Sequence, residues 1–400
     1  MKKSAGPKIK QKRNMEYAEP FPQKSIEYRE ECQILMDFEM TEKKMSSWSL
    51  CMIVKNEEDV LERCLNSVRE LVDEIIIVDT GSEDGTKQTA ERFTDQIYDF
   101  QWGDDFAAAR NFSFARASGD YLMWMDADDV LPESSLRLLA EKKERMDPKT
   151  DVIMLPYQTA FDEAGNPVFI YERERIVRNC PRSVWIGPVH EVIVPFGNIL
   201  HLEAPIRHEK NGPGESGRNL RIYEGQLAKG WKPDARQQYY YGRELYFHER
   251  YEEAEKVFQR FLKNPDAWIV NRVDALRLLA GCRYRQGREE EALEALLHAL
   301  TLDRPRAEIC CDLGKHFLDR GRYEAAVFWY QAALSLPERT DEGGFVERDC
   351  CGFLPCIQLC ICFDRLGDRR QAEEYNERAG RYRPQSPYYL QNRRYFGHEE

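Results

Sequence analysis

Apolar residues fall along this chain in two rhythms, and the change between them divides it. From residue 48 to about 130, short apolar runs alternate with amphipathic stretches. Leu50-Cys51-Met52-Ile53-Val54 and Glu74-Ile75-Ile76-Ile77-Val78 are continuous runs of strand length, suited to strands buried on both faces. Ile97–Phe100 and Tyr121–Met125 read as two more. Asn56 to Glu70 places Val60, Leu61, Leu65 and Val68 at helical spacing, and Thr86–Phe93 and Phe106–Ala117 read as further helices. Strand alternating with helix predicts an α/β, Rossmann-like domain: a mostly parallel sheet with helices on both faces. Val152 to His208 is strand-like and irregular, with Gly165-Asn166-Pro167 as a hairpin turn.

The second rhythm is purely helical and repeats. Glu249-Arg-Tyr-Glu-Glu-Ala254, Gln286-Gly-Arg-Glu-Glu-Glu-Ala292, Arg320-Gly-Arg-Tyr-Glu-Ala-Ala326 and Leu366-Gly-Asp-Arg-Arg-Gln-Ala372 resemble one another, their alanines 38, 34 and 46 residues apart. A spacing of about 34 residues, with a small residue where two helices touch, is that of tetratricopeptide repeats. The longest spacing fits an insertion at Arg339–Gly344. Four regions follow: a basic and helical extension (1–47, with a helix at Ser25–Met36), an α/β domain (48–212), a linking helical segment (213–235) and an all-α tetratricopeptide-like domain (236–400). Asn211-Gly-Pro-Gly214 marks the boundary between the two larger regions. Stacked helix pairs make a concave surface, so the repeats are expected to hold a peptide or protein partner or to pair two subunits in a homodimer. The aromatic cluster Tyr239, Tyr240, Tyr241, Tyr246, Phe247 and Tyr251 is either helix-packing core or part of such a surface.

Composition narrows the function classes. The net charge of −12 argues against nucleic-acid binding. Met1–Asn14 is the exception, with Lys2, Lys3, Lys8, Lys10, Lys12 and Arg13 and no acid; a solvated tail is expected there. There is no run of 18 apolar residues, so no transmembrane segment is expected. The twelve cysteines lack the Cys-x-x-Cys pairs of a zinc site. They are expected to be reduced and to pack in the repeat core of a cytoplasmic protein.

The chemistry gathers at strand ends. Tyr121–Met125 runs straight into Asp126-Ala127-Asp128-Asp129. If the strand continues, Asp126 and Asp128 point to one side. Two carboxylates aimed at one spot suit a hard cation between protein and phosphate, since Mg²⁺ is usually held by one or two carboxylates plus substrate phosphates. An acidic turn ahead of a helix at Pro132–Leu136 would look the same. Asp79 ends the second strand, and ligands of parallel sheets bind at strand carboxyl ends. The turn after Asp79 is neither a dinucleotide fingerprint nor a P-loop, so Asp79 is expected to accept a hydrogen bond from a base or ribose.

These motifs, in this order, resemble the family 2 glycosyltransferases of the GT-A fold: Cys51-Met-Ile-Val-Lys-Asn-Glu57, Ile77-Val-Asp79-Thr-Gly-Ser82-x-x-Gly85-Thr86, Ala109-Arg110-Asn111 and Asp126-Ala127-Asp128. With Trp102-x-x-Asp105-Phe106, Val189-His190-Glu191, His208 and the repeats, the whole chain is similar to the sublancin-type peptide S-glycosyltransferases. The resemblance implies inverting transfer from a UDP-sugar, UDP-glucose or UDP-GlcNAc, to a peptide or protein side chain. Mg²⁺ or Mn²⁺ would be held by Asp128 and Asp126, with His190 and His208 completing the shell. Val54, Asn56, Glu57, Asp79, Ser82, Asp126 and Ala127 would line the nucleotide-sugar site, with Arg110 and Arg178 on the phosphates. Glu191 is the first candidate for the base, with Asp129 and Asp105 as alternatives. A polysaccharide or lipid-linked acceptor, or a non-enzymatic repeat scaffold, stays open.

Overall fold

A computed structural model describes residues 46–161, 165–209, 217–338 and 346–397. The helix expected at Ser25–Met36, the boundary at 211–214 and the insertion at 339–344 lie outside them. The described residues belong to one compact unit.

The α/β region is built on β1 (Trp48–Val54), β2 (Glu74–Asp79), β3 (Ile97–Asp99) and β4 (Tyr121–Trp124). They lie parallel in the order β3-β2-β1-β4. Both faces are covered, which is why these strands read as unbroken apolar runs. Leu50, Met52 and Val54 pack on one side with Leu61, Leu65 and Met123. Cys51 packs on the other with Ile76, Val78, Leu122 and Trp124. Helix α1 (Leu61–Val68) turns Leu61, Cys64, Leu65 and Val68 inward, the i, i+3, i+4, i+7 stripe of an amphipathic helix. Helices α2 (Thr86–Ala90), α3 (Phe106–Phe114) and α4 (Glu133–Glu144) follow.

Beyond β4 the sheet is mixed rather than mostly parallel. The long hairpin β6 (Thr150–Phe161) and β7 (Pro167–Arg178) joins it antiparallel through β7. Then come β11 (Ile206–His208), parallel to β6, and the two-residue β5 (Asp129–Val130), antiparallel to β11. A small separate ribbon, β8 (Trp185–Ile186) with β9 (Val192–Ile193), carries the segment 187–191 across its end, and β10 (Asn198–His201) edges β6.

Helix α5 (Arg218–Ala228) leads into antiparallel helix pairs: α6 (Ala235–Phe247) with α7 (Tyr251–Leu262), α8 (Ile269–Arg285) with α9 (Glu289–Leu302), α10 (Ala307–Asp319) with α11 (Tyr323–Ser335), and α12 (Phe353–Arg365) with α13 (Arg369–Tyr382), closed by α14 (Pro387–Phe396). The four marker alanines 254, 292, 326 and 372 are all fully buried on the second helix of each pair. Close helix approach also needs glycine on the first helix. A Cβ at Gly242 would meet Phe258 at 2.6 Å, and one at Gly314 would meet Tyr330 at 2.8 Å. The repeat cysteines are free and mostly buried, as expected of small core residues.

Candidate active site

The cleft lies at the carboxyl ends of β1, β2 and β4. Strand β4 stops at Trp124, one residue earlier than the apolar run suggests. Asp126–Asp129 then forms a turn, its Asp129 amide donating to the Asp126 carbonyl (3.0 Å). Asp126 and Asp128 therefore do not share a strand face, and each takes a different partner.

Asp126 is held by Arg110. Its Oδ1 accepts from Arg110 Nη2 at 2.7 Å, while Arg110 Nε donates to Glu191 Oε1, also at 2.7 Å. The guanidinium lies against the rings of Trp124 and Trp185, 5.0 and 4.9 Å from their centroids. Burial would raise the Asp126 pKa, but Arg110 and Arg175 override it and hold the carboxyl well below the usual range. Arg110 thus clamps two carboxylates contributed by different parts of the chain. Its Nη1 is buried without a partner. Glu191 commits Oε1 to this clamp and has no hydrogen bond to Oε2 among the described residues.

Asp128 lies 3.2 Å from His208 Nδ1, which is also 3.2 Å from Asp129. Ligand atoms of Asp128, Asp129 and His208 all lie within 4.8 Å of one another, a spacing one cation can bridge. Asp129 has little left to give. Its Oδ1 accepts from Tyr157 Oη (2.7 Å), and its Oδ2 from Arg175 Nη1 (2.9 Å) and the Asp126 amide (3.0 Å). Asp129 and Arg175 are both fully buried. Asp128 therefore holds the free ligand capacity, with His208 beside it, whose Nδ1 also meets Tyr157 Oη at 2.9 Å. A carboxylate plus an imidazole, with remaining positions for phosphate and water, fits Mn²⁺ and accommodates Mg²⁺. Burial works against charge on His208, yet its hydrogen bonds to Asp128 and Asp129 push its pKa up to about 10. The surroundings favour positive charge at that point. Glu57 faces the same acids; burial first, then Asp128 and Asp126, raise it to about 7.

At the other end of the cleft Asp79 Oδ1 accepts from the Gly81 and Ser82 amides, both at 2.9 Å. Its Oδ2 is buried with no partner. Asn56 is left-handed (φ 54°), which lets its amide donate to Ser82 Oγ and its Oδ1 accept from the Glu83 amide. Val54 pairs in register with Asp79, and its carbonyl accepts from the Thr80 amide. Ala127 is buried beneath the turn.

Three expected site residues stand elsewhere: Arg178, His190 and Asp105. Arg178 pairs across the sheet with Tyr121, at the amino end of β4, where it binds Asp151 (2.8 Å) and the carbonyls of Pro148 and Thr150. Strand β7 runs antiparallel to β4, so its earlier arginines, Arg173 and Arg175, are the ones near Trp124. His190 is not with Asp128; its ring bonds Glu244 (2.7 Å) on α6 and stacks on Tyr240 at 4.4 Å. Asp105 caps α3 by accepting from the Ala108 amide. Asp129 lies at the site but is fully buried, its oxygens taken up by Tyr157, Arg175 and the Asp126 amide. Sequence reasoning also left Tyr157, Glu244 and Arg218 without roles. Arg218, exposed on α5, lies over Phe106 and close enough to Glu57 to lower its pKa.

Residues 49–179 match the family model "Glycosyl transferase family 2", and residues 307–340 match "Tetratricopeptide repeat". A TPR repeat-containing protein of Synechococcus elongatus is 30% identical over 301 residues, 73% of this chain and 67% of that one. The chain belongs to the repeat-bearing family 2 glycosyltransferases. Glycosyltransferase SunS of Bacillus phage SPbeta is 26% identical over 245 residues, 57% of this chain and 56% of that one. A lipopolysaccharide core biosynthesis glycosyltransferase of Rhizobium meliloti, LpsC, is 28% identical over 162 residues, 39% of this chain and 58% of that one. The chain thus spans two thirds of the first relative and just over half of the other two. The glycosyltransferase assignment rests on the cleft-bearing half and the order of its motifs. No helix among the described residues is long and apolar enough to cross a membrane.

Proposed function

We propose that this protein is an inverting, metal-dependent glycosyltransferase that moves a sugar from a UDP-sugar to a peptide or protein side chain. The observation that carries the reading is the division of the acids: Asp128 with His208 on one side of the turn, Asp126 with Arg110 and Glu191 on the other. Asp128 and His208 would hold Mg²⁺ or Mn²⁺, which supplies Lewis-acid stabilisation of the departing diphosphate. Asp79 presents its unpartnered Oδ2 to an N–H of the pyrimidine base, a buried acceptor that costs stability until it is matched. Arg110 keeps Asp126 ionised and fixes one oxygen of Glu191. The uncommitted Oε2 then takes the acceptor proton, since a base must lie within hydrogen-bond reach of the proton it removes. A cysteine thiol needs less help than a hydroxyl, because its pKa is lower to begin with.

The resemblance of the motifs to the sublancin-type peptide S-glycosyltransferases supports the peptide reading. The similarity to LpsC favours the second reading, a saccharide or lipid-linked acceptor. A cytoplasmic location agrees with the free thiols. The test is thermal shift with UDP and Mn²⁺, followed by a screen of UDP-sugar hydrolysis. Wild type should be stabilised only by the two together, and Asp128→Ala should lose both the shift and on the order of a thousandfold in turnover, a few kcal/mol of barrier. No shift in wild type would leave the scaffold reading standing.

A further inference from the structure

The segment 187–191 joins the ribbon strands β8 and β9 and delivers Glu191 to the cleft. Three of its five residues, Gly187, Val189 and His190, pack against the helical half. Gly187 is left-handed (φ 99°), and a Cβ there would collide with the Gln237 side chain of α6. The Pro188 carbonyl accepts from the Phe106 amide at the start of α3 (2.9 Å). Val189 is buried with Ile222 and Tyr223 of α5. The His190 carbonyl accepts from Arg236 Nη2 (3.2 Å), and its ring lies between Tyr240 and the Glu244 carboxylate. Glu244 is itself fixed by Asn219 Nδ2 of α5 (3.0 Å).

His190 is also strained. Its φ is 51°, a conformation that costs an L-residue about 1–2 kcal/mol. Such strain persists only where surrounding contacts over-determine it. Here those contacts come from α6, and the residue that benefits is the next one along, whose carboxylate meets Arg110. Resting on the reading of Glu191 and Asp126 as working groups of the cleft, we propose that Glu244 is a positioning residue: through His190 it sets the backbone that aims Glu191 at Arg110. The first helices after the α/β domain are then part of the catalytic apparatus, and the repeats proper begin behind them. Removing residues 236–400 is therefore expected to impair reaction with the donor. Such a truncation takes Arg236, Gln237, Tyr240 and Glu244 with it.

The test uses the full chain with Glu244→Ala and Glu244→Gln. Hydrogen–deuterium exchange of the 187–192 amides reads the latch without any donor. Glu244→Ala should raise their exchange at least tenfold while the β4 amides stay as in wild type; unchanged exchange would overturn the proposal. In UDP-sugar hydrolysis, Glu244→Ala should lower kcat 10- to 100-fold, the scale of a misplacement of about 1 Å. KM for the donor should stay within twofold. Glu244→Gln, which keeps an acceptor for the His190 ring, should recover most of kcat. If kcat, KM and Tm fall together and Gln gives no rescue, Glu244 is merely structural and the proposal fails. If the loop loosens as expected but wild type binds no UDP with Mn²⁺, the glycosyltransferase reading of the cleft fails and the latch stands.

Discussion

The two halves of this molecule use the left-handed backbone for different ends. In the repeats, Gly287, Gly321 and Gly367 each sit with positive φ at the turn between paired helices. Glycine adopts that conformation freely, so the turn recurs at no steric cost. In the α/β half the left-handed residues without glycine's freedom are Asn56, Asp104 and His190, and all three are next to the cleft or its supporting segment. Asn56 ties the strand-end loops together, Asp104 accepts from the Trp102 indole, and His190 feeds Glu191. Buried polar groups divide in the same way. Glu255 in the repeats is shared among Arg283, Arg288 and Gln286, so no single partner is critical. Asp129 at the candidate site is shared too, among Tyr157, Arg175 and the Asp126 amide, but its guanidinium partner is fully buried and leaves Nε and Nη2 unmatched. In the α/β half the strained residues and unmatched buried atoms gather around the candidate site, at Asp79 Oδ2, Arg110 Nη1 and the Arg175 guanidinium; in the helical half unmatched atoms are scattered, as at Arg272 Nε and Asn376 Oδ1.

That contrast can be broken by substitution. Arg175→Met removes one partner of a buried pair and should cost about 3–5 kcal/mol in chemical denaturation. Arg283→Met, at a shared and partly exposed pair, should cost about 1 kcal/mol or less. Equal losses would erase the distinction. Gly314→Ala forces a methyl against Tyr330 and should cost about 1–3 kcal/mol, with donor turnover unchanged in the protein that folds. The smallest effect concerns Glu249. It takes the place in the first pair that glycine takes in the others, with φ 61°. Glu249→Gly should therefore stabilise by up to about 1 kcal/mol, read as a raised Tm. A loss of stability would mean that Glu249 has a role the repeat pattern does not explain.

The parallel core and the helix pairs were legible because each rests on local periodicity. The runs at Leu50–Val54 and Ile75–Val78 are apolar throughout because both faces are covered, and the alanine spacing follows from helix contact. Asp79 and Asp128 were legible as strand-end acids. The clamp was not, since Arg110 and Glu191 lie 81 residues apart and nothing local ties them. His190 looked like a metal ligand because its partner, Glu244, is 54 residues further on in the helical half. Arg178 stands away from the site because β7 runs antiparallel to β4, which carries its later residues to the amino end of β4, a direction that local pattern does not reveal.

If Asp128 and His208 bind a cation together with the donor diphosphate, the two ligands must be coupled. Coupling between two ligands is reciprocal, so titration of Mn²⁺ by calorimetry, with and without UDP, tests it directly. UDP should tighten Mn²⁺ binding at least tenfold in wild type and leave it unchanged in Asp128→Asn. Equal Mn²⁺ affinity with and without UDP in wild type would contradict it.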